Sequence, residues 1–311
     1  MANADWILVT GAGGRIGGVG RTVVELLLQR GLPVRAMVHR EDERAQALRD
    51  LGARVVAGDL SRPPDVANAL EGCRRMLFCM SVSPDFLEAS ATIATVARAL
   101  GGLEALVNLS QMTVSQMTAV SAGESHQQRL HWLSEQVLGW SALPVVHLRP
   151  TIFQENPLFT TVVARSVAER GVLPLPTGRG RTSPVAAIDV ARVASAVLQD
   201  PGPHIGRVLE LTGPRSQDMD GVAEEYSRAL GKPVRYVDVP ADEWAAGAMA
   251  DAGLSAHEQQ HLITLAALHR QNRFDRMTDT VLSVTGQPAQ TIEAFVAQHR
   301  TLFTLPDRAA A

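Results

Sequence analysis

The chain has 311 residues, 46% of them hydrophobic and 20% charged, with a formal net charge of −3. That length suits one large α/β domain, or one domain with a smaller appendage. The near-neutral balance, with no Lys/Arg run longer than a pair, argues against a nucleic-acid partner, whose phosphates demand clustered basic surface, and no stretch approaches the ~18 uninterrupted apolar residues of a membrane span.

The first apolar run begins at Trp6, so close to Met1 that no signal peptide is expected ahead of it, and the chain reads as cytoplasmic. Cys73 and Cys79, the only cysteines, lack CxxC spacing, which fits a reducing compartment and excludes a Cys-based zinc site. Strand patterns then follow at Ile7–Thr10, Val34–Val38, Arg54–Ala57, Met76–Cys79, Ala105–Leu109 and Val145–Leu148. These are continuous hydrophobic runs, as strands buried on both faces are. Between them, helical patterns occupy Thr22–Arg30, Glu43–Leu51, Pro64–Leu70, Pro84–Leu100 and Ser125–Trp140, several closed by a glycine such as Gly31, Gly52 or Gly101. This alternation predicts βαβ units in a Rossmann-type, doubly wound parallel sheet of the α/β class.

Arg149-Pro150 ends the sixth strand, and a Pro/Gly-rich stretch from Gly171 to Pro184 follows. Asp189 is expected to cap a helix reaching Gln199, and Val208–Leu211 reads as one more strand. From Pro214 onward helices dominate, joined by a short strand at Val234–Val237. The expected division is a nucleotide-binding domain over residues 1–150, to which 183–212 return. Residues 151–182 and 213–311 then form a smaller, mostly helical lobe beside the strand C-termini, where open α/β sheets bind ligands.

The segment Thr10-Gly11-Ala12-Gly13-Gly14-Arg15-Ile16-Gly17 sits between the first strand and a helix, where a dinucleotide fingerprint belongs. Glycines there let the backbone turn tightly and approach a pyrophosphate, whose charge the helix N-terminus stabilises. The pattern is G-x-x-G-x-x-G, with Gly11, Gly14 and Gly17 as its glycines. The second strand ends in His39-Arg40, a basic end that favours a 2′-phosphate and hence NADP over NAD, with Arg15 in reach from the loop. Against this, Glu41-Asp42-Glu43 follow at once and offer Arg40 surface ion pairs instead.

Together, Thr10 to Gly17, Gly58-Asp59-Leu60, Leu148-Arg149-Pro150 and Leu211-Thr212-Gly213-Pro214 resemble the NmrA-like group of atypical short-chain dehydrogenases/reductases, in order and spacing, down to Glu293-Ala294-Phe295. The resemblance implies a Rossmann-type NADP-binding domain with a small C-terminal lobe, and Asp59-Leu60 near the adenine. Some members of that group reduce quinones, dyes or other unsaturated substrates; others are redox-sensing regulators. The loop here continues as Gly18-Val19-Gly20, longer than in most of the group, which moves the helix start toward Gly20 and makes Gly17 the least secure glycine.

Better-known short-chain dehydrogenases use Tyr-x-x-x-Lys to protonate a nascent alkoxide. Both tyrosines here, Tyr226 and Tyr236, and the single lysine, Lys232, lie in the C-terminal lobe. The helix that would carry the pair instead sets Gln127, His131 and Glu135 on one face, so that Glu135 is expected to orient His131 and favour its charged form. In the resemblance His131 falls where relatives have Lys or His, Gln127 where the tyrosine would be, and Ser110 where a serine near the nicotinamide is common. Each also has a plain structural reading: His131 bonded to Glu135 within its helix, Ser110 closing a strand.

The expected site thus has His131, Ser110 and Glu135 as catalytic candidates, with Met80, Ser81, Pro150, Thr151 and Phe153 beside the cofactor. Met112, Met117, Trp132, Phe153 and Phe159 are candidates to line the substrate pocket. His257-Glu258-Gln259-Gln260-His261 spells H-E-x-x-H, but with Ser255 as an N-cap it reads as a solvated first turn rather than a zinc site, and no metal is expected. Two functions remain: NADPH-dependent reduction of a small unsaturated or quinone-like acceptor, or a non-catalytic NADP(H)-binding redox sensor.

Overall fold

Val/Ile/Leu-rich strands offer water no polar face, so they need cover on both sides. In the computed structural model, which describes residues 5–14 and 18–305, they lie in one parallel sheet. Strand β1 (Trp6–Thr10) sits between β2 (Val34–Val38), with β3 (Arg54–Ala57) beyond it, and β4 (Cys73–Phe78). Outward from β4 follow β5 (Ala105–Leu109), β6 (Val145–Pro150) and β8 (Val208–Leu211). A separate parallel pair joins β7 (Val172–Leu175) to β9 (Arg235–Asp238). The order β3-β2-β1-β4-β5-β6-β8 reverses between β1 and β4, and a crevice opens where consecutive crossovers leave on opposite faces.

One face of the sheet is covered by α1 (Val19–Gln29), α2 (Glu43–Asp50) and α7 (Ala187–Gln199), with Val23, Val24, Leu27, Val190 and Val197 wholly buried. The other face packs on α3 (Pro63–Leu70), α4 (Phe86–Leu100) and α5 (His126–Trp140). A second core, around Tyr226, Phe295 and Phe303, gathers α6 (Ala164–Arg170), α8 (Met219–Leu230), α9 (Ala241–Trp244), α10 (Ala256–Arg270) and α12 (Ile292–Gln298). The short α11 (Thr280–Thr285) instead packs its Val281 on the sheet side. Among the described residues no helix is long and apolar enough to cross a membrane.

Several boundaries differ from expectation for local reasons. Strand β4 starts at Cys73, three residues before Met76, because Arg74 and Arg75 sit in it with their guanidinium groups on Glu104 and on the Leu198 and Gln199 carbonyls. Helix α7 is not capped by Asp189, its third residue. The carboxylate at its N-terminus is Glu155, which accepts from the Ala187 N–H at 3.0 and 3.1 Å, while Asp189 is fully buried and bonds Arg192 and the Gln290 N–H. Strand β7 escaped the pattern because four residues between Gly171 and Pro176, one of them Pro174, look like loop.

Candidate active site

The turn after β1 is built by glycines with different duties. Gly11 has φ +70°, and a Cβ there would lie 2.5 Å from the Cys79 carbonyl oxygen, so only glycine closes the turn against β4. The Gly14 N–H donates to the Gly11 carbonyl at 3.0 Å. A Cβ on Gly20 would meet the backbone of Thr10, Gly11 and Ala12 at 2.8–2.9 Å, which makes Gly20 a glycine of close helix–strand packing. Arg15, Ile16 and Gly17 lie outside the described residues. Helix α1 begins at Val19, ahead of the expected Thr22, as the extended loop suggested.

Thr10 does not face the crevice. It is fully buried, and its hydroxyl donates toward the Cys79 and Leu77 carbonyls while accepting from the Cys79 N–H at 2.9 Å. That fastens β1 to β4 and leaves Thr10 outside the site.

At the end of β2, His39, Arg40, Asp42 and Arg44 line a broad groove with Gly11, Gly13, Gly14, Gly58, Asp59 and Leu60. The acidic trio does not take Arg40: Glu41 pairs with Arg49, and Asp42 caps α2 and holds Arg44. The Arg44 hydrogen bond holds the Asp42 carboxyl below its usual range. Arg44 also donates to the Gly13 carbonyl at 2.7 Å, a tie between the glycine turn and the β2 end that the sequence reading missed. Asp59 is likewise held low, first by the Ser61 N–H and then by its hydroxyl.

The groove continues into a cavity of about 180 Å³ between the strand ends and the C-terminal lobe. Met80, Ser81, Ser110 to Thr113 and Pro150 to Phe153 line it from the sheet; Leu254, Glu258, His261, Leu262 and Leu265 line it from the lobe. Of the five expected lining residues, Met112 and Phe153 are there and Met117, Trp132 and Phe159 are not. Phe159 is spent in the lobe's own core. The Thr151 hydroxyl donates to the Ser183 carbonyl at 2.6 Å, whereas the Ser110 hydroxyl oxygen is buried with no partner.

His131 reaches the cavity, but Glu135 does not hold it. The Glu135 carboxylate receives both arms of Arg149, at 3.0 and 2.5 Å, joining α5 to β6. The guanidinium fork matches a carboxylate better than an imidazole does, and it approaches from the sheet side. His131 instead packs on Phe86, ring centroids 4.1 Å apart, with Nδ1 unpartnered. Burial first, and then His261, push its pKa down to about 3, so the imidazole is neutral, opposite to the expected charged form. Gln127 accepts at Oε1 from the Ser83 N–H and pairs with His257.

The H-E-x-x-H residues have other employment. Ser255 caps α10 in a reciprocal box with Glu258; His257 meets Gln127, and His261 Nδ1 lies 2.7 Å from the Ser125 hydroxyl. No metal-ligating cluster occurs among the described residues. The turn is nevertheless not simply solvated, since Glu258 and His261 line the cavity, and burial lowers the His261 pKa to about 4. Among the described residues no Lys or Arg lines the cavity.

A glycine turn at the first βα junction, opening at the switch point onto a basic groove end and a largely apolar cavity, defines a dinucleotide-binding protein of the doubly wound α/β class. The chain belongs to the NAD(P)H-binding family, whose model matches residues 11–201. It is 31% identical over 300 residues to an NAD(P)H azoreductase of Xenophilus azovorans, covering 96% of this chain and 99% of that one. Among solved structures, an NADPH-dependent quinone oxidoreductase from Escherichia coli, complexed with NADPH, superposes with a TM-score of 0.81 at 24% identity over 95% of this chain and 99% of that one. The transcriptional regulator NmrA in complex with NADP does so at 0.79 and 18%, over 95% of each. The fold is that of the NmrA-like atypical short-chain dehydrogenases/reductases.

Proposed function

We propose that this chain, an NAD(P)H-dependent oxidoreductase, delivers hydride from NADPH to a small, uncharged, unsaturated acceptor of the quinone type, without a Tyr/Lys pair. The observation that carries the reading is the continuity of the two spaces: Gly11, Gly14, Met80 and Ser81 border both the groove and the cavity. A dinucleotide fits the residues present. Gly11 and Gly14 leave room for a pyrophosphate, Asp59 and Leu60 line the groove as residues that the resemblance sets near an adenine, and Arg40, exposed and without an ion pair to a described residue, is available to a 2′-phosphate. When bound there, NADPH supplies the hydride and leaves as NADP+.

The protein's own residues then enclose the acceptor. Leu262, Leu265 and Phe274 from the lobe, with Met112 and Phe153 from the strand ends, give the acceptor apolar walls. The neutral His131 gives the acceptor an apolar, hydrogen-bonding wall and no imidazolium acid. Acceptors that need little proton donation during hydride transfer, quinones above all, suit such a pocket. The azoreductase and quinone oxidoreductase relatives support this direction. A sensor without turnover would not need a largely apolar cavity adjoining the groove. Purified protein with NADPH and a panel of quinones, azo dyes and enals tests the choice: NADPH oxidation with a quinone supports the enzyme, and cofactor binding without oxidation by any member supports the sensor.

A further inference from the structure

Adding a hydride to a carbonyl-type acceptor moves a C=O π pair onto oxygen, and the resulting oxyanion needs hydrogen-bond donors or positive charge. Among the described residues, the lining of this cavity has no Lys, Arg or Tyr, and its histidines are kept neutral by burial. We propose that Gln111, through its side-chain N–H groups, is the donor that holds the oxyanion, with Thr113 and Gln128 as positioning residues. This inference rests on the hydride-transfer reading above.

The orientation of Gln111 follows from a chain of hydrogen bonds whose polarity is fixed at one end. The backbone N–H of Ser125 can only donate, and it does so to Gln128 Oε1 at 2.8 Å. The Gln128 amide is thereby set, with Nε2 donating to Thr113 Oγ1 at 3.0 Å. Having accepted that proton, the Thr113 hydroxyl turns its own to Gln111 Oε1 at 3.3 Å. The Gln111 oxygen is committed, and its Nε2 is left buried with no partner. Unpaired buried donors are costly and uncommon, so one held by a three-residue relay, on a side chain that lines the cavity, reads as a group awaiting a ligand. Ser110 Oγ, beside it in sequence and also unpartnered, is available as a second donor.

The step balances without an acid from the protein. The acceptor gains the hydride and is reduced, the nicotinamide is oxidised, the oxyanion accepts the Gln111 N–H bonds, and water supplies the final proton after transfer. Gln111 gives up no proton, so its contribution does not titrate.

Three forms test the assignment: the unaltered protein, Gln111→Met, which removes the donors at similar volume, and Thr113→Val, which releases the amide from its relay. Expected with a quinone acceptor is a loss of about 10²-fold in kcat/KM for Gln111→Met and a smaller loss for Thr113→Val, with NADPH affinity unchanged in both. A second readout does not depend on turnover: 4-nitrophenol bound to the NADP+ complex is titrated by its phenolate absorbance. The donor should lower the bound phenol's pKa in the unaltered protein and less so in Gln111→Met. If the unaltered protein reduces no acceptor, the hydride-transfer reading fails, and the phenol titration still decides Gln111. Undiminished turnover in both variants, or a phenol that titrates identically with and without the amide, overturns the proposal.

Discussion

Arg40 stands exposed at the end of β2, while Arg49 and Arg44 occupy the neighbouring carboxylates. If it meets a 2′-phosphate, NADPH binds at least about tenfold more tightly than NADH, the ~1.4 kcal/mol of one charge-assisted contact. Arg40→Ala should erase most of that difference in calorimetric titrations, and equal affinities in the unaltered protein would remove the argument. At Gly14 a Cβ would sit 3.1 Å from the Gly11 carbonyl oxygen. Gly14→Val is therefore expected to abolish NADPH binding in a protein that still folds, with circular dichroism as the check on folding. The glycine turn and the basic β2 end were legible because both are local in sequence. The fate of His131 was not: helical spacing tells which side chains share a face, but not that Arg149, from another element, captures Glu135 first. Gln111 could be placed at the pocket from its strand end, but its relay could not be read for the same reason, since it runs through residues 113, 125 and 128.

Helix α5 is tied to β6 through Glu135 and Arg149, whose side chains are only 4% and 17% exposed. Removing one partner of such a pair strands the other in poor solvent. Glu135→Ala should cost about 3–5 kcal/mol in urea unfolding, with kcat nearly unchanged at temperatures where the variant is folded. A large fall in kcat with intact stability would instead return Glu135 to the chemistry. Helix α1 depends comparably on Gly20, where even a methyl group meets three backbone atoms within 3 Å. Strands β1, β2 and β5 were readable because burial on both faces leaves mainly apolar runs. Strand β7 was not, because Gly171, Pro174 and Pro176 in and around it read as loop, whereas its partner β9 showed an apolar run.

Over the whole molecule, buried imidazoles set the response to acid. Burial first lowers the pKa of His131 to about 3 and of His261 and His269 to about 4, and it lowers His147 and His257 as well. The unfolded chain takes up these protons near pH 6.5, whereas the folded chain resists them until far lower pH. The contribution of these imidazoles is thus full above pH 6.5 and falls as pH drops, by up to about 1.4 kcal/mol per pH unit for each of His131, His261 and His269. Glu155, raised to about 7 by burial, and Asp189, also raised by burial, act in the opposite sense but are fewer. Calorimetry should show Tm declining steadily from pH 6.5 to 5, with a shallower slope in His261→Gln; a flat profile would contradict the burial assigned to these rings. The sheet order has a separate consequence, for biosynthesis. Strand β6 finds its outer neighbour only in β8, some sixty residues further along the chain, and α7, which shields the same face as α1, arrives only shortly before β8. While the ribosome is still making the intervening segment, a nascent chain already holding six strands exposes an open β6 edge and the apolar flank of α1. That interval is when the protein is most vulnerable to edge-to-edge aggregation and most in need of a chaperone.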